Sequence, residues 1–180
     1  FAKSDRAMNG KLLQDTFAEW QASPHAARGE TCQSCHMPDR SHKWLGIHDS
    51  TTVANAVKVE LEDVLDDSAV IIRLTNEGAG HHLPTYVTPK LFVSATQYDS
   101  KEQALDMTEQ VRAVGREIVL TSAESREVYD TRIPAGGTWE WVYDAKRHPS
   151  AKSVRVVIDV FPDHFYERFF KGYNKAGLSE

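Results

Sequence analysis

Cys32, Cys35 and His36 stand in the stretch Thr31-Cys-Gln-Ser-Cys-His-Met-Pro38. Two thiols three positions apart can add across the two vinyl groups of a haem, while the imidazole beside the second thiol faces one axial side of the iron. Two rival chemistries use similar residues. A thioredoxin-like redox pair needs a fold for which the sequence has no pattern, and a zinc site needs a second ligand pair, which two cysteines in 180 residues do not supply. The motif predicts one covalently attached haem c, with thioethers at Cys32 and Cys35 and His36 as proximal axial ligand.

The sixth iron position separates electron transfer from ligand binding or catalysis. Eight histidines occur in the chain, more than a chain of this length ordinarily needs. His148 and His164 sit among charged neighbours and read as surface or satisfied core residues. His81 and His82 differ, because Asn76-Glu-Gly-Ala-Gly-His-His-Leu-Pro-Thr85 is a glycine-rich loop between two strand patterns, where backbone can approach a flat ligand and cap a haem face. His42 and His48 follow His36 by six and twelve residues, and the longer tether of His48 reaches further round a haem. His25 is a further candidate. Met8 and Met107 are thioether candidates with nothing local to recommend them over plain packing.

The elements that must position these groups fall into two textures. Asn9 to Ala22 places Leu12, Leu13, Phe17 and Trp20 at helical spacing, ended by Ser23-Pro24, and predicts an amphipathic helix. From His25 to Ser50 glycine, proline, cysteine and histidine replace apolar periodicity, so these loops need a bound cofactor to organise them. Beyond Thr51 alternation takes over: Val53 to Leu61, Val70 to Leu74, Leu91 to Tyr98, Arg116 to Leu120, Arg126 to Ile133, Thr138 to Tyr143 and Ser153 to Val160. Turn signals such as Pro134-Ala-Gly-Gly137 separate them. Ala104 to Val114 and Pro162 to Tyr173 are closer to helical spacing. The expected fold is mainly β with some α: a short helical and loop haem-binding segment, residues 1–50, packed on a seven-stranded immunoglobulin-like β-sandwich, residues 51–180, with a C-terminal helix.

Hydrophobic residues make up 41% of the chain and charged residues 26%, enough to bury a core under a soluble surface. The net charge of −5, with Lys and Arg scattered among acidic residues, gives no basic stripe for phosphates, so nucleic acid is not an expected partner. No apolar run approaches the ~20 residues of a membrane-spanning helix. The cysteines lie too close together to staple distant parts of the fold. A start at Phe1 without methionine suits a mature product after signal removal, with a periplasmic or extracytoplasmic location.

The run from Trp20 to Pro38, Trp-Gln-Ala-Ser-Pro-His-Ala-Ala-Arg-Gly-Glu-Thr-Cys-Gln-Ser-Cys-His-Met-Pro, followed by His42 and His48, resembles one haem-binding unit of the multihaem cytochromes c of the cytochrome c-554 type. Gly80-His-His-Leu-Pro-Thr85 is similar to a Gly-His-x-x-Pro-Thr element in the β-rich parts of such proteins, with His81 at the matching histidine and His82 at the variable position. Those relatives carry several Cys-x-x-Cys-His motifs and this chain carries one. The resemblance implies His81 as distal axial ligand, with His82, His48, His42 and His25 as alternatives. It also implies that His25 or His48 serves a haem in a partner subunit.

Motif and resemblance together lead to the expectation of a monohaem cytochrome with a bis-histidine iron, transferring one electron at low potential to redox partner proteins, with other cytochrome subunits among them. Trp20, Trp44 and strand residues would pack on the porphyrin, although Trp44 equally suits a plain anchor for its own loop. An electron carrier is favoured over a catalyst. The rivals are a haem-based sensor or small-ligand binder, an electron-relay subunit of a larger respiratory complex, and an enzyme in which His82, Tyr86 or Asp49 acts as acid or base beside an open iron.

Overall fold

The structure, a computed structural model, describes residues 7–63, 69–120, 125–144 and 146–175. The chain begins with a tight hairpin, β1 (Ala7–Met8) and β2 (Lys11–Leu12), rather than the first turns of a helix. Asn9 and Gly10 both adopt positive φ, 52° and 71°, as the two central residues of a type I′ turn must. The Asn-Gly dipeptide thus overrides the helical spacing of Leu12 and Leu13. Helix appears only at α1 (Thr16–Gln21), followed by three short helices: α2 (Pro24–Ala27), α3 (Cys32–His36) and α4 (Ser50–Ala56).

Val53 accordingly lies in a helix and not in the strand its alternation with Val57 predicts. Asp49 explains the difference: its carboxylate accepts from the Thr52 amide at 2.7 Å, capping α4, whose Val53 and Ala56 turn inward. The strands then follow as β3 (Val57–Asp63), β4 (Val70–Asn76), β5 (Lys90–Tyr98), β6 (Gln110–Val114), β7 (Arg116–Leu120), β8 (Ser125–Asp130), β9 (Thr138–Tyr143) and β10 (Ser153–Phe161). The helix expected over Ala104 to Val114 is instead a loop leading into β6, which pairs with β5 through Leu91 and Val114. Thr108 closes that loop, accepting from the Gln97 amide at 3.1 Å and donating to the Leu105 carbonyl at 2.7 Å.

Two three-stranded antiparallel sheets, ordered β10-β5-β6 and β3-β4-β9, share one core; β7 and β8 form a separate pair. Ile72, Leu74, Trp141 and Tyr143 come to that core from one sheet and Leu91, Val93, Ala95 and Val114 from the other, joined by Ile133. Alternation along β4 and β5 puts these side chains inward at every second position. The described chain is mainly β with few helices and forms no closed barrel. None of its described helices is long and apolar enough to cross a membrane.

Two buried cations lie outside this core. Arg116, fully buried, donates to Glu127 at 2.7 Å and to the carbonyls of Met8, Lys11 and Leu12, so the N-terminal hairpin is tied to β7 and β8 through one side chain. Lys90 Nζ lies 3.2 Å from Glu117 Oε2 and donates to the Arg116 carbonyl.

Helix α5 (His164–Lys175) closes the described chain where helical spacing placed one. It seats His164 against Phe92 and Phe161, at ring-centroid distances of 5.3 and 6.4 Å. Burial, with the charges of Arg168 and Lys90, pushes the His164 imidazole below its ordinary value. A folded value lower than the unfolded one, ~6.5, means that this contribution to stability is fully present above the unfolded value and is lost as pH falls below it toward the folded value. Protection factors of the α5 amides, corrected for the intrinsic pH dependence of exchange, should therefore fall as pH drops below about 6.5. His164→Phe, which keeps the aromatic contacts, should flatten that response; an unchanged profile would show that His164 is not its source.

Candidate haem site

A cavity of about 420 Å³ lies between the segment before β3 and the loop joining β4 to β5. Its size falls within the ~300–1,000 Å³ of sites that hold small ligands and cofactors. Phe17 and Trp20 of α1, Ile47, Val53 and Leu83 give it apolar walls, and Cys32, Cys35, His36 and His81 all line it.

The motif residues share one turn of helix because their spacing of three and four repeats the helical period. Thr31 caps that turn with a reciprocal pair of bonds, accepting from the Ser34 amide at 3.2 Å while Ser34 Oγ accepts from the Thr31 amide at 2.9 Å. Both thiols are free, Cys35 exposed and Cys32 half-buried. No three His, Cys, Asp or Glu side chains among the described residues converge on one point as a zinc site requires.

His36 is fixed by a loop that returns to it. The Leu45 amide donates to the His36 carbonyl at 2.9 Å, and His36 Nδ1 bonds the Leu45 carbonyl. Trp44, held at φ 49°, stacks on the imidazole with centroids 5.1 Å apart and planes 19° apart. A carbonyl only accepts, so Nδ1 carries the proton and Nε2 keeps its lone pair.

His81 repeats this arrangement from the other side. Its Nδ1 lies 2.9 Å from the His82 carbonyl and must donate to it, again leaving Nε2 as the bare nitrogen. Burial pushes the His81 imidazole below its ordinary value, which holds it neutral near pH 7, the form that binds a metal. The two ring centroids are 6.1 Å apart and the planes 9° apart. A metal held by both Nε2 atoms needs about that separation: two bonds of ~2 Å plus the offset of each nitrogen from its ring centre. Two pre-set imidazoles, two free thiols and apolar walls fit a covalently attached haem.

The loop carrying His81 reaches the cavity because its glycines let it pass close to the helices. A Cβ on Gly78 would stand 2.3 Å from the Asn55 carbonyl oxygen, and one on Gly80 would stand 3.0 Å from His25 Cβ. The loop is fastened by groups that carry no sequence signal. Asn76, fully buried, donates to the carbonyls of His81 at 2.8 Å and Ile133 at 3.0 Å. Glu19 of α1 accepts from the His82 amide at 3.1 Å and from Arg132 at 2.9 Å. Arg132 is held in turn by Asp130 at 2.8 and 3.0 Å and donates to the Thr85 carbonyl at 2.7 Å. Burial raises the Asp130 carboxyl, yet hydrogen bonds from Arg132 and Lys11 outweigh it and hold the group well below the usual carboxylate range.

The other sequence candidates are spread around this centre. His25 is buried in the cavity wall, 3.8 Å from Glu30, with no hydrogen-bond partner for Nδ1 among the described residues. His48 lines the cavity but is largely exposed, 3.8 Å from Asp163. The His82 ring turns to Glu19, with Nδ1 at 3.1 Å, and does not line the cavity; nor does His42, which is exposed. Tyr86 lines the cavity, whereas Asp49 is occupied capping α4. Met8 belongs to the hairpin and Met107 is fully exposed, so neither reaches the cavity.

No family model matches the sequence, and no curated protein matches it. Among solved structures the chain is similar to a penta-haem cytochrome c552 from Thermochromatium tepidum, with a TM-score of 0.66 and 19% identity over 94% of this chain and 49% of that one. At this identity the likeness is one of fold, and the fold is multihaem cytochrome-like. The chain spans about half the length of the structure it matches.

Proposed function

We propose that this chain holds one haem c through thioethers at Cys32 and Cys35, with His36 and His81 as its axial ligands, and that it passes single electrons. The observation that carries this reading is the pairing of His36 and His81 across one cavity, each with Nδ1 committed to a backbone carbonyl. When bound, the haem supplies a one-electron iron couple. The protein's part is to hold both imidazoles in orientation, shield the buried face with Trp20 and Leu83, and leave an opening beside the exposed Cys35 and His48. Imidazole in place of a thioether implies a low potential.

Residues 1–50 act on this reading as the haem-binding segment and residues 51–180 as its support, the two sheets around one core serving as the sandwich-like body. The fold likeness supports redox proteins as partners and an extracytoplasmic site of action. Coverage of half of a five-haem chain favours a second form of the same function, in which this chain relays electrons as one part of a larger assembly.

Covalent attachment is tested by denaturing electrophoresis, where haem should stay with the chain and be lost in the Cys32→Ser, Cys35→Ser double variant. Retention by that variant would remove the thioethers from the reading. Ligation is tested by electron paramagnetic resonance of the ferric protein. Axial imidazoles 9° from parallel should give a rhombic low-spin signal with three resolved g values. A high-spin signal would sink the electron-transfer reading and favour an open site for small ligands.

A further inference from the structure

The carbonyl of His81 and the amide of His82 belong to one peptide group, and each of its two polar atoms is bonded to a different element. Asn76, at the end of β4, donates to the oxygen at 2.8 Å; Glu19, in α1, accepts from the nitrogen at 3.1 Å. A peptide group is planar and stiff, so two bonds on its two ends fix its orientation. The His81 ring is tied in turn to the next carbonyl along, that of His82, at 2.9 Å.

From this geometry we infer that Asn76 and Glu19 are positioning residues for the sixth ligand. They form a two-point mount that sets the plane of the His81 imidazole and resists its withdrawal. The inference rests on the axial role proposed for His81.

Both residues are built for the task. Asn76 has no exposed surface, and its side-chain oxygen is used as well, accepting from the Ala79 amide at 3.0 Å. Its backbone is anchored too, the amide to Gly137 at 3.0 Å and the carbonyl to Gly136 at 2.8 Å. Glu19 is held by Arg132 at 2.9 Å and also accepts from Thr85 Oγ1 at 3.4 Å. Burial raises the Glu19 carboxyl, but the bonds from His82 and the charge of Arg132 outweigh it, so it stays an ionised acceptor. Leu83, next along the chain, exchanges two 2.8 Å bonds with Ile133, which stops the loop from sliding.

The test is cyanide binding to the ferric holoprotein, with the electron paramagnetic resonance spectrum recorded beside it. Cyanide must wait for His81 to leave the iron. Losing a bond to a charged acceptor should make that departure about tenfold more frequent in Glu19→Ala. Glu19→Gln keeps an acceptor oxygen and should stay close to wild type. Asn76→Asp replaces the donor with a carboxylate oxygen facing the His81 carbonyl, and should both speed cyanide entry and shift the g values as the ring turns.

A high-spin wild type, or a His81→Ala variant spectrally identical to it, would overturn the axial assignment itself. A low-spin wild type that loses its signal in His81→Ala, while Glu19→Ala and Asn76→Asp keep wild-type g values and cyanide rates, would overturn the mount alone. Should neither of those two variants fold, amide exchange at His82 in the wild-type holoprotein decides. Protection comparable to that of Leu83 upholds the mount; exchange at the rate of an open loop overturns it.

Discussion

His81→Ala should turn a low-spin ferric protein into a high-spin one, open the ferrous iron to carbon monoxide, and raise the reduction potential. Both Nδ1 atoms are committed to backbone carbonyls, which leaves the two Nε2 atoms to face the iron. With His36 alone remaining, the fifth ligand is still fixed by Leu45 and Trp44, so loss of the haem is not expected. What disappears is the second strong imidazole donor, which favours the ferric state. The shift should be on the order of 0.1 V upward, a modest part of the ~0.8 V over which axial ligands move haem potentials. A low-spin variant would mean that another side chain takes the position. His25 is the first to examine, because it is buried in the same cavity wall with one ring nitrogen lacking a partner among the described residues.

The second large effect concerns stability. Arg116→Met should cost on the order of 3–5 kcal/mol, because it leaves the carboxylate of Glu127 without its fully buried partner. The Met8, Lys11 and Leu12 carbonyls lose the same donor, so the hairpin 7–12 should detach first. Arg116→Lys should recover little, since one ammonium cannot reproduce a planar fork directed at four acceptors. Urea unfolding monitored by tryptophan fluorescence reads the loss; a cost below about 1 kcal/mol would show that Lys11 and Asn9, which also contact Glu127, suffice.

How much of this was legible beforehand depended on whether the signal was local. Strands β4, β5, β9 and β10 follow from apolar period because each turns one face to the common core, and helix α5 follows from helical spacing although Tyr166, Phe169 and Phe170 stay exposed. Cys32, Cys35 and His36 are recognisable because one helical turn carries all three. His81 was readable as a candidate because the glycines on its N-terminal side permit close approach. The misread stretches were those where one short-range bond overruled periodicity: the Asn9-Gly10 turn, the Asp49 cap on α4, and the Thr108 bonds that shape the loop before β6. Asn76, Glu19, Arg116 and Arg132 gave no warning, since their partners lie far along the chain or on its backbone, and a lone polar residue does not advertise burial. Nor could spacing foretell that Trp44 stacks on His36 instead of merely anchoring its loop.

The uneven distribution of buried apolar side chains bears on the order of assembly. Every buried residue of the main core cluster lies between Ile72 and Tyr143, and each sheet joins one pair of near neighbours, β3 with β4 or β5 with β6, to a strand distant in sequence, β9 on β4 and β10 on β5. Between Leu13 and Asp49 the buried residues are Ser23 and His25, neither of them apolar. The sheets can therefore close on their own contacts, while the stretch bearing both thiols has little apolar burial to hold it closed. On the proposed reading, that openness would leave Cys32 and Cys35 accessible until a haem is attached. A haem bound as proposed would then do for the amino-terminal segment what valine and tryptophan do for the sheets, making its attachment and the last step of folding a single event.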